Sequence, residues 1–382
     1  MSNEKPTILI VGLGHLGGVL LEFLARQDWV GRIVAGARDE HRGQSRVNLA
    51  RAGAVAQGLE PRLEFQQADV YDPARFAEII DDTAPQLILG TATMQTWWLP
   101  ELLPDRARTA IETARFGIWL PCHLAPTLSL MEGVRASSFD GPVVTAPFPD
   151  VVNRVLGRID RAPTCGIGNV DEIAAKVRLL AAQRLATPLS TIDVQLVGHH
   201  ALEAAAFGGS DPESAPPFFL RVLHRGIDVT RDIDAPAMLF QPYPLPKGPR
   251  TAFFTAGSTL RLLRALFEKA PTRLHVPAPA GLPGGYPVTV RAGAIELTPI
   301  PGLELDAAID INERSQPFDG IQRIEEDGTV VFDPQSAAIM KRELGYDCAQ
   351  LAPDEARRRG RELGTRFREY AARNGVDLSR IT

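Results

Sequence analysis

Three glycines near the start of the chain are the first residues whose type and spacing imply chemistry. Gly12-Leu13-Gly14-His15-Leu16-Gly17 has the pattern G-x-G-x-x-G. It follows the apolar run Thr7-Ile8-Leu9-Ile10-Val11 and precedes Val19 to Ala25, where apolar residues recur at helical spacing. Between a strand and a helix, the first glycine permits a tight turn. The second lets backbone approach a pyrophosphate, and the third lets helix pack against strand. The helix N-terminus adds N–H donors and partial positive charge. The pattern predicts a dinucleotide site contacted by Gly12, Gly14, His15, Leu16 and Gly17, joined by Thr91 at the end of a later strand.

The next strand bears on which dinucleotide. An NAD site usually places an acidic residue at its end, about 20 residues past the glycines, on the ribose 2′-hydroxyl. This chain reads Ala35-Gly36-Ala37-Arg38-Asp39. Gly36 and Ala37 leave room, Arg38 can pair with a 2′-phosphate and stack on adenine, and Arg42 lies one turn further on. The expected cofactor is NADP. NAD remains the alternative, with Asp39 on the ribose and Arg38 solvated.

Elements must position these residues, and the first half supplies them in alternation. Strands are expected at 7–11, 32–36, 63–66, 87–90 and 142–145. Helices are expected at 19–25, 45–57, 73–81 and 105–116, and from about Asp150. Strand-helix alternation with short turns predicts an α/β fold, a doubly wound parallel sheet of Rossmann type. A chain of 382 residues exceeds the usual single core. The expected division is a dinucleotide-binding domain over 1–164 and a catalytic, substrate and oligomerisation domain of α+β type over 165–382. The Pro-rich stretches at 215–217, 241–249 and 276–287 read as loops, because periodic structure resumes after each.

The second half carries a resemblance. Pro142 to Asn153 is similar to the fifth-strand region of the lactate/malate dehydrogenase family, where a strand ends in Asn-Pro-Val-Asp and a helix begins. Pro163-Thr164-Cys165-Gly166-Ile167-Gly168-Asn169-Val170-Asp171 resembles that family's approach to its catalytic Asp. Ser190 to Ala201, containing Val197-Gly198-His199-His200, resembles the strand that delivers its catalytic His. The N-terminal half also resembles the Rossmann domains of saccharopine and opine dehydrogenases. The resemblance implies Asp171 and His200 as a catalytic pair. An imidazole handles the proton of the alcohol or carbonyl oxygen, and a carboxylate on its far nitrogen fixes the tautomer. His199 competes for the role, but alternate residues of a strand face opposite ways, so one of the two is expected to face the cofactor. His15, His41, His224 and His275 read as turn or surface residues, and His123 as a cleft residue. Arg250 to Leu260 resembles the family's late helix over the substrate, with Thr251 near it. Gly284 to Ile300 resembles its C-terminal antiparallel sheet. A charged last helix is expected over 355–372.

The departures from that family define the expected substrate. Its carboxylate-clamping Arg, three residues after the Asp, is Ala174 here. Arg178 shares the helix face and is either a replacement or a solvated residue. The loop after the fourth strand, Gly90-Thr91-Ala92-Thr93-Met94-Gln95-Thr96-Trp97-Trp98, has no cation, and Ala146 stands where the family has Asn. Gln95, Trp97, Trp98, Arg178 and Thr251 are the substrate candidates. A buried charge without its partner is costly, so a simple 2-keto acid is not expected.

Composition bounds the rest. With 41 Lys plus Arg against 46 Asp plus Glu, the net charge is −5, which disfavours nucleic acid as a partner. Cys122, Cys165 and Cys348 form neither a disulfide framework nor a metal-like spacing, so no metal is expected. No signal segment or membrane span is apparent, and a cytoplasmic homodimer or homotetramer acting on a small molecule is expected. The leading expectation is an NAD(P)-dependent oxidoreductase working on a carbonyl or hydroxyl carbon. The alternatives are a C=N reductase and a cofactor-binding protein without catalysis.

Overall fold

The computed structural model describes residues 5–208, 212–246 and 248–378. In chain order its N-terminal half comprises β1 (Thr7–Val11), α1 (His15–Leu24), β2 (Arg32–Ala37), α2 (Glu40–Val55), β3 (Leu63–Gln67), α3 (Pro73–Thr83), β4 (Leu87–Gly90), α4 (Asp105–Glu112), α5 (Leu120–Ala136), β5 (Val143–Thr145), α6 (Pro149–Arg158) and β6 (Cys165–Gly166). The six strands form one parallel sheet in the order β3-β2-β1-β4-β5-β6. The order reverses at β1, so the crevice of a doubly wound sheet opens beside the glycine turn.

Period-two alternation divides the sheet's side chains between two cores. Leu9 and Val11 point to one face, with α3, α5 and α6. Ile8 and Ile10 point to the other, with α1, α2 and a helix from the second half. The expected strands stand within a residue or so of the observed ones. The expected helix 105–116 ends at Glu112, and α5 follows it. In α5 apolar residues face all directions and nearly every side chain is buried.

The second half comprises α7 (Val170–Arg184), β7 (Ile192–Val197), α8 (Ala201–Gly208), β8 (Phe219–His224), β9 (Ile227–Asp228), α9 (Ala235–Phe240), α10 (Ala252–Phe267), β10 (Thr272–Pro277), β11 (Gly285–Arg291), β12 (Ala294–Leu297), α11 (Leu305–Ser315), β13 (Ile321–Ile324), β14 (Val330–Phe332), α12 (Pro334–Leu344), β15 (Gln350–Leu351) and α13 (Ala356–Arg373). Three small antiparallel sheets, β7-β8-β9, β10-β11-β12 and β13-β14-β15, give it the α+β character. The division expected at residue 164 passes just before β6, which is part of the parallel sheet. The segment from β13 to α13 returns to the N-terminal half. Ile321, Phe332, Met340, Leu363 and Phe367 share one core with Leu9, Phe76 and Leu124. Tyr370 donates its hydroxyl to the Ala107 carbonyl at 3.0 Å. Among the described residues no helix is long and apolar enough to cross a membrane.

One buried lysine locks the second half internally. Lys176 on α7 donates its ammonium hydrogens to the carbonyls of Ala206, Leu239 and Gln241, at the C-terminal ends of α8 and α9. Those carbonyls lack helical partners, and a cation there also meets the negative end of each helix dipole. Burial pulls the Lys176 pKa down to about 8.

Candidate active site

The glycine turn is built as its spacing predicts. Gly12 has φ +101°, and a Cβ there would stand 2.5 Å from the Ala92 nitrogen. A Cβ on Gly17 would stand 1.9 Å from the Gly12 carbonyl oxygen, so only glycine lets α1 start this close to β1. Gly14 is different: a Cβ there would meet nothing within 4 Å. It faces open space at the start of α1, whose first turn has neither a side-chain cap nor an acidic residue. An uncapped helix N-terminus beside an open backbone fits a pyrophosphate. Thr91 acts on the turn itself, donating its hydroxyl to the Gly12 carbonyl at 2.5 Å. His15 and Leu16 are half-buried, and the His15 Nε2 has no partner among the described residues.

At the end of β2, Arg38 and Arg42 are exposed. Asp39 caps α2, accepting from the Arg42 N–H at 2.9 Å. Arg38, His41, Gln44, Ser45, Asn48 and Gln67 line an open groove there.

The second cluster stands where β7 ends. Gly198 pairs with Gly285 through both backbone groups, and two histidines follow. His200 Nδ1 donates to Asp319 at 3.0 Å, and His199 Nδ1 lies 3.2 Å from the same carboxylate. Asp319 is buried in the turn between α11 and β13. The His200 backbone is held from the other side. Its N–H donates to Asp150 at 3.0 Å, and the second Asp150 oxygen accepts from the Asn169 amide. Phe148 and Asn169, which precede α6 and α7, both have positive φ, at +45° and +47°. A bulky residue in that region is strained and persists only where its surroundings fix it.

Aromatic rings enclose the imidazole. Phe116 and Phe148 have centroids 4.9 and 4.8 Å from that of His200, and Phe116 stacks on His123 at 5.5 Å. The His123 Nδ1 lies 3.1 Å from the Thr93 hydroxyl. Burial opposes charge on His200, but the Asp319 carboxylate and its hydrogen bond outweigh this and push the pKa up to about 9. Asp319 is held well below the usual carboxylate range against its own burial by the His200 charge and by bonds from both histidines. Burial, aided by the His200 charge, brings His123 down to about 3. At neutral pH the cluster is therefore an imidazolium–carboxylate pair beside a neutral imidazole. Among the described residues nothing bonds the His200 Nε2, and the side chain keeps 21% of its surface exposed.

No sequence-family model and no curated protein matches the chain. Solved structures do. Lactate dehydrogenase from Eimeria maxima, crystallised with NADH and oxamate, superposes with a TM-score of 0.57 at 11% identity, over 83% of this chain and 92% of that one. Malate dehydrogenase from Plasmodium falciparum in complex with NADH gives 0.53 at 12% identity, over 82% and 95%. A lactate dehydrogenase from a Medee basin deep-sea metagenome gives 0.55 at 13%, over 82% and 97%.

The fold is that of the lactate and malate dehydrogenases.

Within the lactate/malate dehydrogenase fold, the expected site residues separate into two groups. His200 is in the cluster; Asp171 is not its partner. Asp171 accepts from the Ser258 hydroxyl at 2.6 Å and from the His275 backbone N–H at 3.1 Å, joining α7 to α10 and β10. The reading of His275 as a turn or surface residue is corrected too. It is buried in β10, its Nε2 accepts from the Leu196 N–H at 3.2 Å, and burial brings it down to about 4. The expectation that only one of His199 and His200 faces the cofactor rested on strand alternation. The strand stops at Val197, so alternation no longer governs them and both reach Asp319.

Arg178 is held away from the clamp role, donating to the Leu189 carbonyl at 3.0 Å. Thr251 starts α10 and donates to the Gly248 carbonyl. Gln95 and Trp98 are half-buried, Trp98 against the core, while Trp97 is exposed. Among the described residues no ring contact joins either tryptophan to His200.

The residues that sequence reasoning missed are Asp319, Asp150, Phe116, Glu203 and Glu172. Asp319 lies 119 positions from His200, and no local pattern marks it. Glu203, in the first turn of α8, is raised by burial and by Asp150 and Asp319, with His200 opposing. Glu172 is buried at the start of α7 beside Gly168 and Thr255. It is raised well above its ordinary value by burial and by Glu203.

Proposed function

We propose that this chain is an oxidoreductase that takes a nicotinamide dinucleotide, preferably NADP, and reduces or oxidises a carbonyl or hydroxyl carbon. The observation that carries the reading is the His200–Asp319 pair, set in a fold whose solved examples include NADH complexes. The glycine turn fits the cofactor, with Gly14 and the uncapped start of α1 on the pyrophosphate. Arg38 and Arg42 favour a 2′-phosphate, since Asp39 is engaged in capping.

The bound nicotinamide supplies or accepts the hydride. His200 holds the proton that the substrate oxygen needs, with Nε2 as the exposed nitrogen. Asp319 fixes the ring by its Nδ1 and stabilises the charged form, so the proton is present at neutral pH for reduction. Phe116 and Phe148 shield the pair from water. Asp150 and Asn169 hold the backbone that carries the ring.

The substrate in this reading is not a simple 2-keto acid. Ala174 is buried where the clamp would stand, and Arg178 is bonded to Leu189. Carboxyl groups surround His200 instead, which favours a second reading. A C=N reductase handles a protonated imine or an amine, and that positive charge would draw Glu203, which burial and neighbouring carboxylates hold toward its neutral form, into ionisation. The same proposal includes a homodimer or homotetramer in the cytoplasm, for which three buried, unpaired cysteines suit a reducing compartment.

Fluorescence titration with NADPH and NADH tests the foundation, and binding of neither overturns it. A panel of carbonyl compounds, each with and without an amine donor, then follows NADPH consumption. Turnover with the carbonyl alone supports the first reading, and turnover only with the amine supports the second. His200→Gln should retain cofactor binding and lose turnover on the order of 100-fold or more. Cofactor binding without turnover on any compound leaves the non-catalytic alternative.

A further inference from the structure

The C-terminal helix carries a guanidinium to the cofactor half of the molecule. Arg357, in the first turn of α13, has its Cζ 4.1 Å from the centroid of the Tyr71 ring. Tyr71 lies four residues past β3, and Arg38 one residue past β2. These strands are parallel neighbours, with Ala37 opposite Gln67. Ala68 donates its N–H to the Ala37 carbonyl and Gln67 its side-chain amide to the Arg38 carbonyl. β1 runs alongside, with Val11 opposite Gly36. Arg38 and Tyr71 therefore leave the sheet at the same edge as the glycine turn, and α13 brings Arg357 over them.

Three features mark this place as more than packing. The Tyr71 hydroxyl is buried and has no hydrogen-bond partner among the described residues. The charges of Arg357 and Arg38 both act on it. Arg357 is exposed and makes no ion pair among the described residues, although its neighbours Arg358 and Arg359 bond to Glu355 and Glu362. Asp69 accepts from the Tyr71 N–H and Asp39 from the Arg42 N–H, while Glu40 lies exposed on the same groove as Arg38. Stacking on a ring occupies the guanidinium face and leaves its in-plane N–H groups free. One guanidinium so placed, with the charge of Arg38 acting on the same phenol, suits a doubly charged oxyanion.

We propose that Arg357, Tyr71 and Arg38 together hold the 2′-phosphate of the dinucleotide, so that cofactor choice depends on the C-terminal helix as well as on the N-terminal sheet. This rests on the cofactor reading above. Calorimetric titration of the full chain with NADPH, NADH, 2′,5′-ADP and 5′-AMP tests it. The wild type should bind NADPH and 2′,5′-ADP more tightly than their unphosphorylated counterparts. Arg357→Ala should weaken both phosphorylated ligands on the order of tenfold to a hundredfold and leave NADH unchanged. Tyr71→Phe, which keeps the ring, should weaken NADPH by a smaller factor, again sparing NADH. Arg366→Ala, further along the same helix, should change neither. Equal weakening of NADPH and NADH by Arg357→Ala, or of neither, overturns the proposal. A wild type that binds NADH at least as tightly as NADPH overturns the phosphate site and leaves the hydride reading standing. Binding of neither dinucleotide removes both.

Discussion

Replacing Asp319 by Asn removes a charge and changes almost no volume, so it isolates what the carboxylate does to His200. The ordinary histidine pKa is 6.5 and His200 stands at about 9, with burial acting in the opposite direction. A rise of about 2.5 units corresponds to about 3 kcal/mol of preference for the charged ring in the folded state. Because the folded value is the higher one, this stabilisation is present in full below pH 6.5 and is lost as pH rises through about 9. Asp319 is lowered, so its share is present above the ordinary carboxylate range and is lost as pH falls below it. Lys176, lowered to about 8, makes stability rise over the same alkaline range, so the His200 share is read in urea unfolding from the gap between wild type and Asp319→Asn, which should shrink by about 3 kcal/mol between pH 6 and 10. At about 3 kcal/mol per molar of urea, the difference in midpoint shrinks by about 1 M. In Asp319→Asn the His200 ring proton observed by NMR should titrate near or below 6.5. Asp171→Asn should leave both profiles as in the wild type. The pairing is wrong if the gap between wild type and Asp319→Asn does not shrink between pH 6 and 10, or if Asp171→Asn lowers the His200 titration as Asp319→Asn does.

Three further outcomes follow from other contacts. Gly14→Ala should fold with wild-type stability, within about 0.5 kcal/mol, and lose dinucleotide affinity, because the added methyl meets no protein atom but enters the pyrophosphate path. Gly17→Ala should instead lower the melting temperature strongly, since its methyl overlaps the Gly12 carbonyl; calorimetry and titration separate the two. Lys176→Met leaves three carbonyls without their donor and should destabilise the fold by about 3 kcal/mol in urea. A loss below about 0.5 kcal/mol would show that water reaches those helix ends.

What was legible in the sequence was local. The glycine turn requires its residues at fixed offsets, and buried parallel strands require apolar runs, so β1 to β5 could be read directly, whereas α1 begins at His15, four residues before the expected Val19. α5 could not be read directly, because Pro121 and Pro126 resemble breakers and a helix buried all round has no polar stripe to reveal its period. β6 is two residues long and has no pattern of its own. The family resemblance pointed to His200, which lies in the aromatic cluster beside Asp319, and to Asp171, which instead bonds Ser258 and the His275 backbone. Asp171 precedes His200 at a familiar distance, but which side chain reaches an imidazole is decided by how remote segments pack. The turn carrying Asp319 reaches the site because the segment from β13 to α13 shares one core with α5 and α6. His275 misled for a related reason: an isolated polar residue between Leu274 and Val276 looks solvent-facing until α7 covers that face of β10.

The return of the C-terminal segment also imposes an order on biosynthesis. A ribosome that has made residues 1–300 has already made the whole parallel sheet, the glycine turn and both histidines. It has not made Asp319, nor α13, whose Phe367 packs edge-on against Trp119 at 5.2 Å. Until those arrive, one apolar flank of α5 is uncovered and the imidazoles have no counter-ion. Contacts spanning more than 200 residues form slowly, and exposed apolar surface on a nascent chain attracts chaperones. The His200–Asp319 pair is therefore assembled late, and prematurely terminated products, however well their sheet forms, lack it.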